Sequence, residues 1–227
     1  MRIQMQKKND DKAVPELQAA FQMALPGKLL ALDRPPLVPE IRLWLVDAAL
    51  MNGPLTHEEA QAVVAEPAYW SFCWASGQVL ARWILDHPEA VRGRRVLDVG
   101  SGSGVVAIAA ALSDALEVTA CDVDPLALLA VQSNAEANGV EIGVRETLPE
   151  ADRHDVICAA DILYDRDNLS LLDRFRQLAP AVLLADSRVR NLTSPGYTQF
   201  MSQDAITWPD LDELKEFRTV RLFRGER

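Results

Sequence analysis

From Ser76 onward, two kinds of apolar pattern alternate along the chain. GQVLARWILDHP (77–88), VVAIAAALS (105–113), PLALLAVQSNAEANG (125–139) and NLSLLDRFRQLA (168–179) are either spaced for one helix face or small and apolar throughout. Between and beyond them RRVLDVG, LEVTACDVD, EIGVRE, HDVICAAD, AVLLAD and TVRLFRG are short apolar runs of strand length, and AITW (205–208) suggests a further strand. Pro125 suits the first turn of its helix and Asn138-Gly139 its end. Strands separated by helices of this length indicate βαβ units, whose ligands sit beyond the carboxyl ends of the strands. Attention therefore falls on the residues after Val99, Ala120, Val144, Ala160 and Ala185.

Ahead of Ser76 the rhythm differs. Residues 13–32 show helical spacing, with Leu17, Phe21 and Leu25 on one face until Pro26-Gly27 interrupts it. Arg34-Pro35-Pro36 and Pro39 mark a rigid connection, a second helix is expected over 40–51, and Thr56 with Glu59 reads as a capping box. The chain thus divides into an N-terminal helical extension, 1–66, serving as a lid or substrate-facing element, and an α/β domain, 67–227.

Composition narrows the function classes. At 227 residues and 49% hydrophobic content the chain can bury a full core. Its 23 basic and 33 acidic residues leave a formal charge of −10, which opposes attraction to nucleic acid or anionic lipid. Cys73, Cys121 and Cys158 are too few and too far apart for a disulfide framework and read as core residues. With no run of about 18 apolar residues, a cytoplasmic protein outside the membrane is expected. His57, His87 and His154 are scattered without metal-ligand spacing and read as surface or helix-end residues; no metal is expected.

The sharpest chemistry lies in VLDVGSGSGV (96–105), where Gly100, Gly102 and Gly104 follow a strand. A dinucleotide fingerprint would need glycine where Val105 stands, and the GK[ST] ending of a Walker loop is missing. Asp98 would also repel a diphosphate. It suits an ammonium group, such as that on the methionine end of S-adenosylmethionine, a ligand without phosphate. Asp122 lies 22 positions after Gly100, at the end of the next strand, where a carboxylate receives ribose hydroxyls. Capping of nearby backbone is the competing role for both aspartates.

These features resemble the class I S-adenosylmethionine-dependent methyltransferases, over about 67–224, and within them the electron transfer flavoprotein β-subunit lysine methyltransferases. The stretches concerned are PAYWSFCWASGQVLARWILDHP, RRVLDVGSGSGVVAIAA, CDVDPLALLAVQSNAEANG and AADILYD. The resemblance implies a Rossmann-like, doubly wound, mostly parallel seven-stranded sheet of order 3-2-1-4-5-7-6, its last strand antiparallel. It further implies that Asp98, Gly100, Gly102 and Gly104 surround the methionyl part, Asp122 takes the ribose, and Thr147 and Leu148 border the adenine. Trp74 and Gln78 would lie beside the cofactor.

Asp161-Ile162-Leu163-Tyr164 matches the DxxY/F signature of these enzymes, making Asp161 and Tyr164 the residues that meet the acceptor nitrogen. Asp161 would hold and orient an ammonium rather than act as a strong base, and Tyr164 would wall the channel. The implied substrate is a protein, through a lysine side chain, with an electron transfer flavoprotein β-subunit as one acceptor. A small molecule or another protein side chain remains an alternative acceptor, as does a cofactor-binding module without catalysis. The chain departs from the family at Asp186-Ser187-Arg188-Val189-Arg190, where an Asp-Pro-Gly-Arg-like segment is usual. Arg188 and Arg190 either orient an acidic substrate segment or are solvated.

Overall fold

The computed structural model describes residues 14–24, 27–50, 68–151, 153–211 and 214–226. Its centre is a seven-stranded sheet of β3 (Arg95–Val99), β4 (Glu117–Cys121), β5 (Gly143–Arg145), β6 (Val156–Ala160), β7 (Ala181–Asp186), β8 (Tyr197–Asp204) and β9 (Thr219–Glu226). The spatial order is β5-β4-β3-β6-β7-β9-β8, the expected 3-2-1-4-5-7-6 arrangement. β9 runs antiparallel to both neighbours while β3 to β7 pair in parallel. Among the described residues no helix is long and apolar enough to cross a membrane.

The helices form where the spacing places them: α2 (Ala75–Asp86), α3 (Val105–Leu112), α4 (Pro125–Asn138) and α5 (Leu171–Leu178). The expected start of the last, at 168–170, is instead part of a 3-10 turn, Arg166–Ser170. α3 is short, and its small residues let it lie close to its neighbours. At Gly77 of α2 a Cβ would come within 3.0 Å of Val105 Cγ1, so glycine sets the separation of the two helices. α4 opens on Asp124, whose side chain accepts from the Leu126 N–H, and closes on Gly139 at φ 67°. Cys73, Cys121 and Cys158 are all free and buried.

The region before Ser76 departs from expectation. α1 covers Val14–Ala24, burying Leu17 and Phe21 as expected, but the chain then forms strand β1 (Leu30–Asp33). The helix expected over 40–51 is strand β2 (Leu43–Val46), followed by a short 3-10 turn at Ala48–Leu50. β1 and β2 pair antiparallel, so the described part of the extension is a helix with a two-stranded sheet rather than helical throughout. The deciding interactions are tertiary, on α4. Asn138 Oδ1 accepts from the Arg42 N–H at 2.9 Å and Asn134 Oδ1 from the Trp44 N–H at 2.7 Å. These side chains satisfy backbone groups of a strand edge that a helix would bond internally. Leu25 and the Thr56–Glu59 box lie outside the described residues.

The strand expected at AITW does not form. The outer strand is Tyr197–Asp204, directly upstream, and Ala205–Trp208 is irregular apart from a bridge between Trp208 and Cys73. β8 is an edge strand with an irregular register between Gln199 and Met201. That shift blurs the two-residue alternation by which strands are recognised.

Asn134 also donates through Nδ2 to the Ser103 carbonyl at 2.8 Å and is fully buried. Replacing it leaves both Trp44 N–H and Ser103 C=O unsatisfied. Asn134→Ala is expected to lower the unfolding free energy by about 2–4 kcal/mol in urea denaturation, and a change under about 0.5 kcal/mol would contradict this account.

Candidate active site

Between the end of β3 and the start of α3 the chain turns within residues 100–104. Gly100, Gly102 and Gly104 have φ of 67°, 50° and 79°, a region costly to side-chain-bearing residues. Gly100 is also confined, because a Cβ there would approach Ile162 Cγ2 to 2.6 Å, whereas one at Gly102 would meet nothing within 4 Å. The loop therefore packs on the residues after β6 at one glycine and faces open space at another. Its N–H groups are largely spent internally: Gly100 and Ser101 donate to Cys121 O, Gly102 to Asp122 Oδ2 and Gly104 to Ser101 O. The Ser101 hydroxyl is buried without a hydrogen-bond partner. A bare cradle, an orphaned hydroxyl and adjoining carboxylates fit the amino-acid end of S-adenosylmethionine better than a polyphosphate.

Asp98 is 2% exposed. Its Oδ2 accepts from the Ala107 N–H at 3.1 Å, in the first turn of α3, whose N-cap Gly104 has no side chain to offer. Burial pushes its pKa up to about 7, with the Asp122 charge adding to the rise. Asp98 thus caps a helix, and its position beside the cradle leaves it available to an ammonium as well. Asp122 receives Gly102 N–H at 2.9 Å on Oδ2 and Asp124 N–H at 3.0 Å on Oδ1. The Val123 N–H also favours its ionised form, and the carboxylate keeps lone-pair capacity for a ribose hydroxyl beyond these backbone donors. The helix N-cap is Asp124, which separates the two aspartates' roles.

The Asp122 N–H donates to the Arg145 carbonyl, bringing the turn after β5 beside that carboxylate. There Thr147 is exposed and Leu148 half-buried, packed against the Leu97 and Val99 cluster. Trp74 is the N-cap residue of α2, and its indole N–H donates to Tyr69 O at 2.9 Å. Its ring lies 5.7 Å from that of Tyr69 and 6.0 Å from that of Phe72. Gln78 is buried one turn later, its Nε2 donating to the carbonyls of Cys73 and Ile206. That amide fastens α2 to the 205–208 segment.

Asp161 follows β6 with φ 52°, unusual for a residue other than glycine. Its N–H donates to Ala185 O, and its carboxylate is gripped from two sides. Ser76 donates through N to Oδ2 at 3.1 Å and through Oγ to Oδ1 at 2.6 Å, while Ser187 Oγ donates to Oδ1 at 3.1 Å. Burial, then the neighbouring Asp186, raises its pKa to about 6 against these donors. Tyr164 is 64% exposed, with its ring 6.2 Å from that of Tyr69. Partial burial, with Tyr69 and Asp122 nearby, raises its hydroxyl pKa.

Asp186 has no exposed surface and receives the N–H groups of Leu163, Arg188 and Val189. It holds the loop after β6 and the loop after β7 together. Arg188 lies over the Phe217 ring at 4.1 Å, and Arg190 pairs with Glu216 at 2.7 Å. Ser76 escapes a reading of the sequence because it has an ordinary local explanation as a helix-start residue, and the segment Asp186–Arg190 draws attention to its arginines rather than to Asp186 and Ser187. His154 is also unlike expectation: it is buried, with Nδ1 unpartnered, and burial lowers its pKa. His87, at the end of α2, is exposed and stacks on Trp83, and His57 lies outside the described residues.

The family model for ribosomal protein L11 methyltransferase matches residues 83–173. The electron transfer flavoprotein beta subunit lysine methyltransferase of Xenopus laevis is 35% identical over 185 residues, covering 75% of this chain and 69% of that relative. Its counterpart from Homo sapiens is 38% identical over 135 residues, covering 58% of this chain and 50% of the relative. The T. thermophilus 16S rRNA N2 G1207 methyltransferase, solved with AdoMet and guanosine, shares the fold at a TM-score of 0.56 and 16% identity. That match covers 88% of this chain and 50% of that one. The fold is that of the class I S-adenosylmethionine-dependent methyltransferases. The chain belongs to the family of electron transfer flavoprotein β-subunit lysine methyltransferases. It spans from half to about two thirds of the length of the curated relatives it matches.

Two outcomes follow from the cradle. Gly100→Ala places a methyl group on a β-branched neighbour at positive φ and is expected to lower stability by about 1–3 kcal/mol in chemical denaturation. Asp98 has a folded pKa above its unfolded one, so its contribution is most favourable below the unfolded value of about 4 and is lost as pH rises through about 7. Asp98→Asn keeps an acceptor for the Ala107 N–H. It should therefore be more stable than the native protein at pH 8 by about 1–3 kcal/mol, with the gap closing near pH 4. Its affinity for S-adenosylhomocysteine, measured by calorimetry, should fall at least about tenfold.

Proposed function

We propose that this protein transfers a methyl group from S-adenosylmethionine to a lysine side chain of a protein, with an electron transfer flavoprotein β-subunit as acceptor. The reading is carried by the relatives' shared name together with the carboxylate after β6, the DILY aspartate, beside a cradle suited to an amino-acid tail. Residues 67–227 serve as the transferring domain, and the segment before them backs the cofactor loop through Asn134. Three free buried thiols and a formal charge of −10 support a cytoplasmic protein acting on protein rather than on nucleic acid or a membrane surface.

S-adenosylmethionine, when bound, supplies an electrophilic methyl group on a sulfonium. The chain's own residues then have separable tasks. Gly100, Gly102 and Gly104 leave room for the methionyl part, and Asp98 receives its ammonium. Asp122 receives the ribose hydroxyls, and Thr147 and Leu148 border the base. Trp74 walls the cofactor side, and Gln78 supports that wall from behind through its two backbone bonds.

A lysine amine, with an ordinary pKa near 10.4, reaches the site protonated. Asp161 pairs with it on arrival and orients it. The ring faces of Tyr164 and Tyr69 wall the approach, and withdrawal of the amine from water beyond them favours loss of its proton before attack. Alignment and exclusion of water supply most of the acceleration in such an in-line displacement. Since burial raises the Asp161 pKa to about 6, its ionised form is lost as pH falls through that value, and turnover should show an acid limb there.

A second reading, methylation of a ribosomal protein side chain, is favoured by the family-model match over residues 83–173. Purified protein with methyl-labelled cofactor, offered the flavoprotein β-subunit and ribosomes from the same source, separates the two. Label on lysine of the β-subunit is the expected result, and label confined to a ribosomal protein or to small molecules would overturn it. With the β-subunit as acceptor, Asp161→Asn should cut kcat/KM at least about tenfold while leaving S-adenosylhomocysteine affinity intact.

A further inference from the structure

We propose that Ser76 and Ser187 are positioning residues for Asp161: their hydroxyls consume its Oδ1 and leave Oδ2 as the oxygen that meets the acceptor ammonium. The inference rests on the methyl-transfer reading above. Its foundation is the uneven distribution of donors around one carboxylate. Oδ1 accepts two hydroxyls, at 2.6 Å and 3.1 Å, which fill both of its lone pairs. Oδ2 accepts the Ser76 N–H alone, at 3.1 Å, and keeps one lone pair. A proton on Oδ2 leaves both hydroxyl bonds to Oδ1 undisturbed, and there it competes with the incoming ammonium for the same position.

The two serines come from opposite sides of the sheet-end cleft. Ser76 lies in the first turn of α2, so its N–H is one of the donors a helix start leaves unpaired, and the helix dipole favours a negative charge there. Ser187 follows β7, in the segment where this chain departs from the Asp-Pro-Gly-Arg pattern, and is buried. Asp161 itself is held in place by its N–H bond to Ala185 O and by a backbone at φ 52°. The groups facing the carboxylate are Ser76 and the Cys73 thiol on the α2 side, and Asp186 and Ser187 on the β7 side. Asp186 is the charged one, and it opposes ionisation of Asp161.

Neutral donors suit this task. An arginine or lysine would hold Asp161 ionised more strongly, yet its positive charge would repel a lysine ammonium arriving at the same oxygen. Hydroxyls stabilise the anion without that repulsion. A purely structural alternative has Asp161 serving only as the cap of α2, a role the Ser76 N–H bond satisfies without Ser187. The contribution of Ser187 therefore distinguishes the two.

The test follows the Asp161 carboxyl by NMR in protein labelled with 13C at the aspartate side-chain carbonyl, the resonance being assigned by its loss in Asp161→Asn. The native protein should titrate near pH 6. Ser187→Ala should raise the midpoint by about half a pH unit or more, Ser187→Thr should restore it, and Ser76→Ala should move it in the same direction. With the flavoprotein β-subunit as acceptor, Ser187→Ala should lose more turnover at pH 6.5 than at pH 8.5, with unchanged affinity for S-adenosylhomocysteine. A Ser187→Ala midpoint coincident with the native one, or an equal loss of turnover at both pH values, would overturn the assignment. A shifted midpoint in a protein that never labels the β-subunit would support the serine clamp and sink the acceptor instead.

Discussion

Four parallel strands, β3, β4, β6 and β7, each end in or beside an aspartate, and the site depends on keeping those four carboxylates close together at the sheet's carboxyl edge. Burial raises the pKa of Asp98 and of Asp161, and like charges gathered in the cleft add to it, Asp122 at Asp98 and Asp186 at Asp161. The protein answers each with neutral donors, and Asp186 with the Arg188 charge as well. Ala107 N–H serves Asp98, the N–H groups of Gly102 and Asp124 serve Asp122, and Ser76 with Ser187 serve Asp161. The Leu163, Arg188 and Val189 N–H groups serve Asp186. The hydrogen-bonding partners of Asp98 and Asp161 carry no positive charge. An aminoacyl ammonium beside Asp98 and a lysine ammonium beside Asp161 would supply it, and a polyphosphate would make the repulsion worse.

This arrangement explains why so much of the surrounding structure is small. Glycine at 100 lets the first loop touch Ile162 of the second, and glycine at 77 lets α2 approach α3. Closeness of α2 to the sheet end in turn brings Ser76 to Asp161. On the other flank, Asn134 joins the edge of β2 to the carbonyl of Ser103. The described part of the extension thereby braces the glycine loop from behind, through the Asn134 side chain.

The central sheet is legible in the sequence because parallel strands buried on both faces read as short apolar runs, and helices between them fix the topology class. Asp98, Asp122 and Asp161 are legible for the same reason: each stands at the end of such a run. The outer strand β8 is not, since its irregular register interrupts the alternation, and β2 is not, since LWLV suits helix or strand equally until two asparagines on α4 choose. Ser76 and Ser187 reach Asp161 from 85 and 26 residues away, so although Ser187 stands in the segment that departs from the Asp-Pro-Gly-Arg pattern, nothing local points either serine at that carboxylate. Gln78 is the converse case, placed near the cofactor by resemblance and found with its amide nitrogen committed to two backbone carbonyls.

An ammonium that meets Asp98 finds a carboxylate only partly ionised near neutrality. Calorimetric titration of the protein with S-adenosylhomocysteine at pH 7, repeated in buffers of different ionisation enthalpy, counts the protons exchanged on binding. Pairing of the ligand's ammonium with Asp98, whose pKa burial lifts to about 7, predicts net proton release that disappears in Asp98→Asn. Proton uptake, or binding without exchange in both proteins, would contradict the central claim.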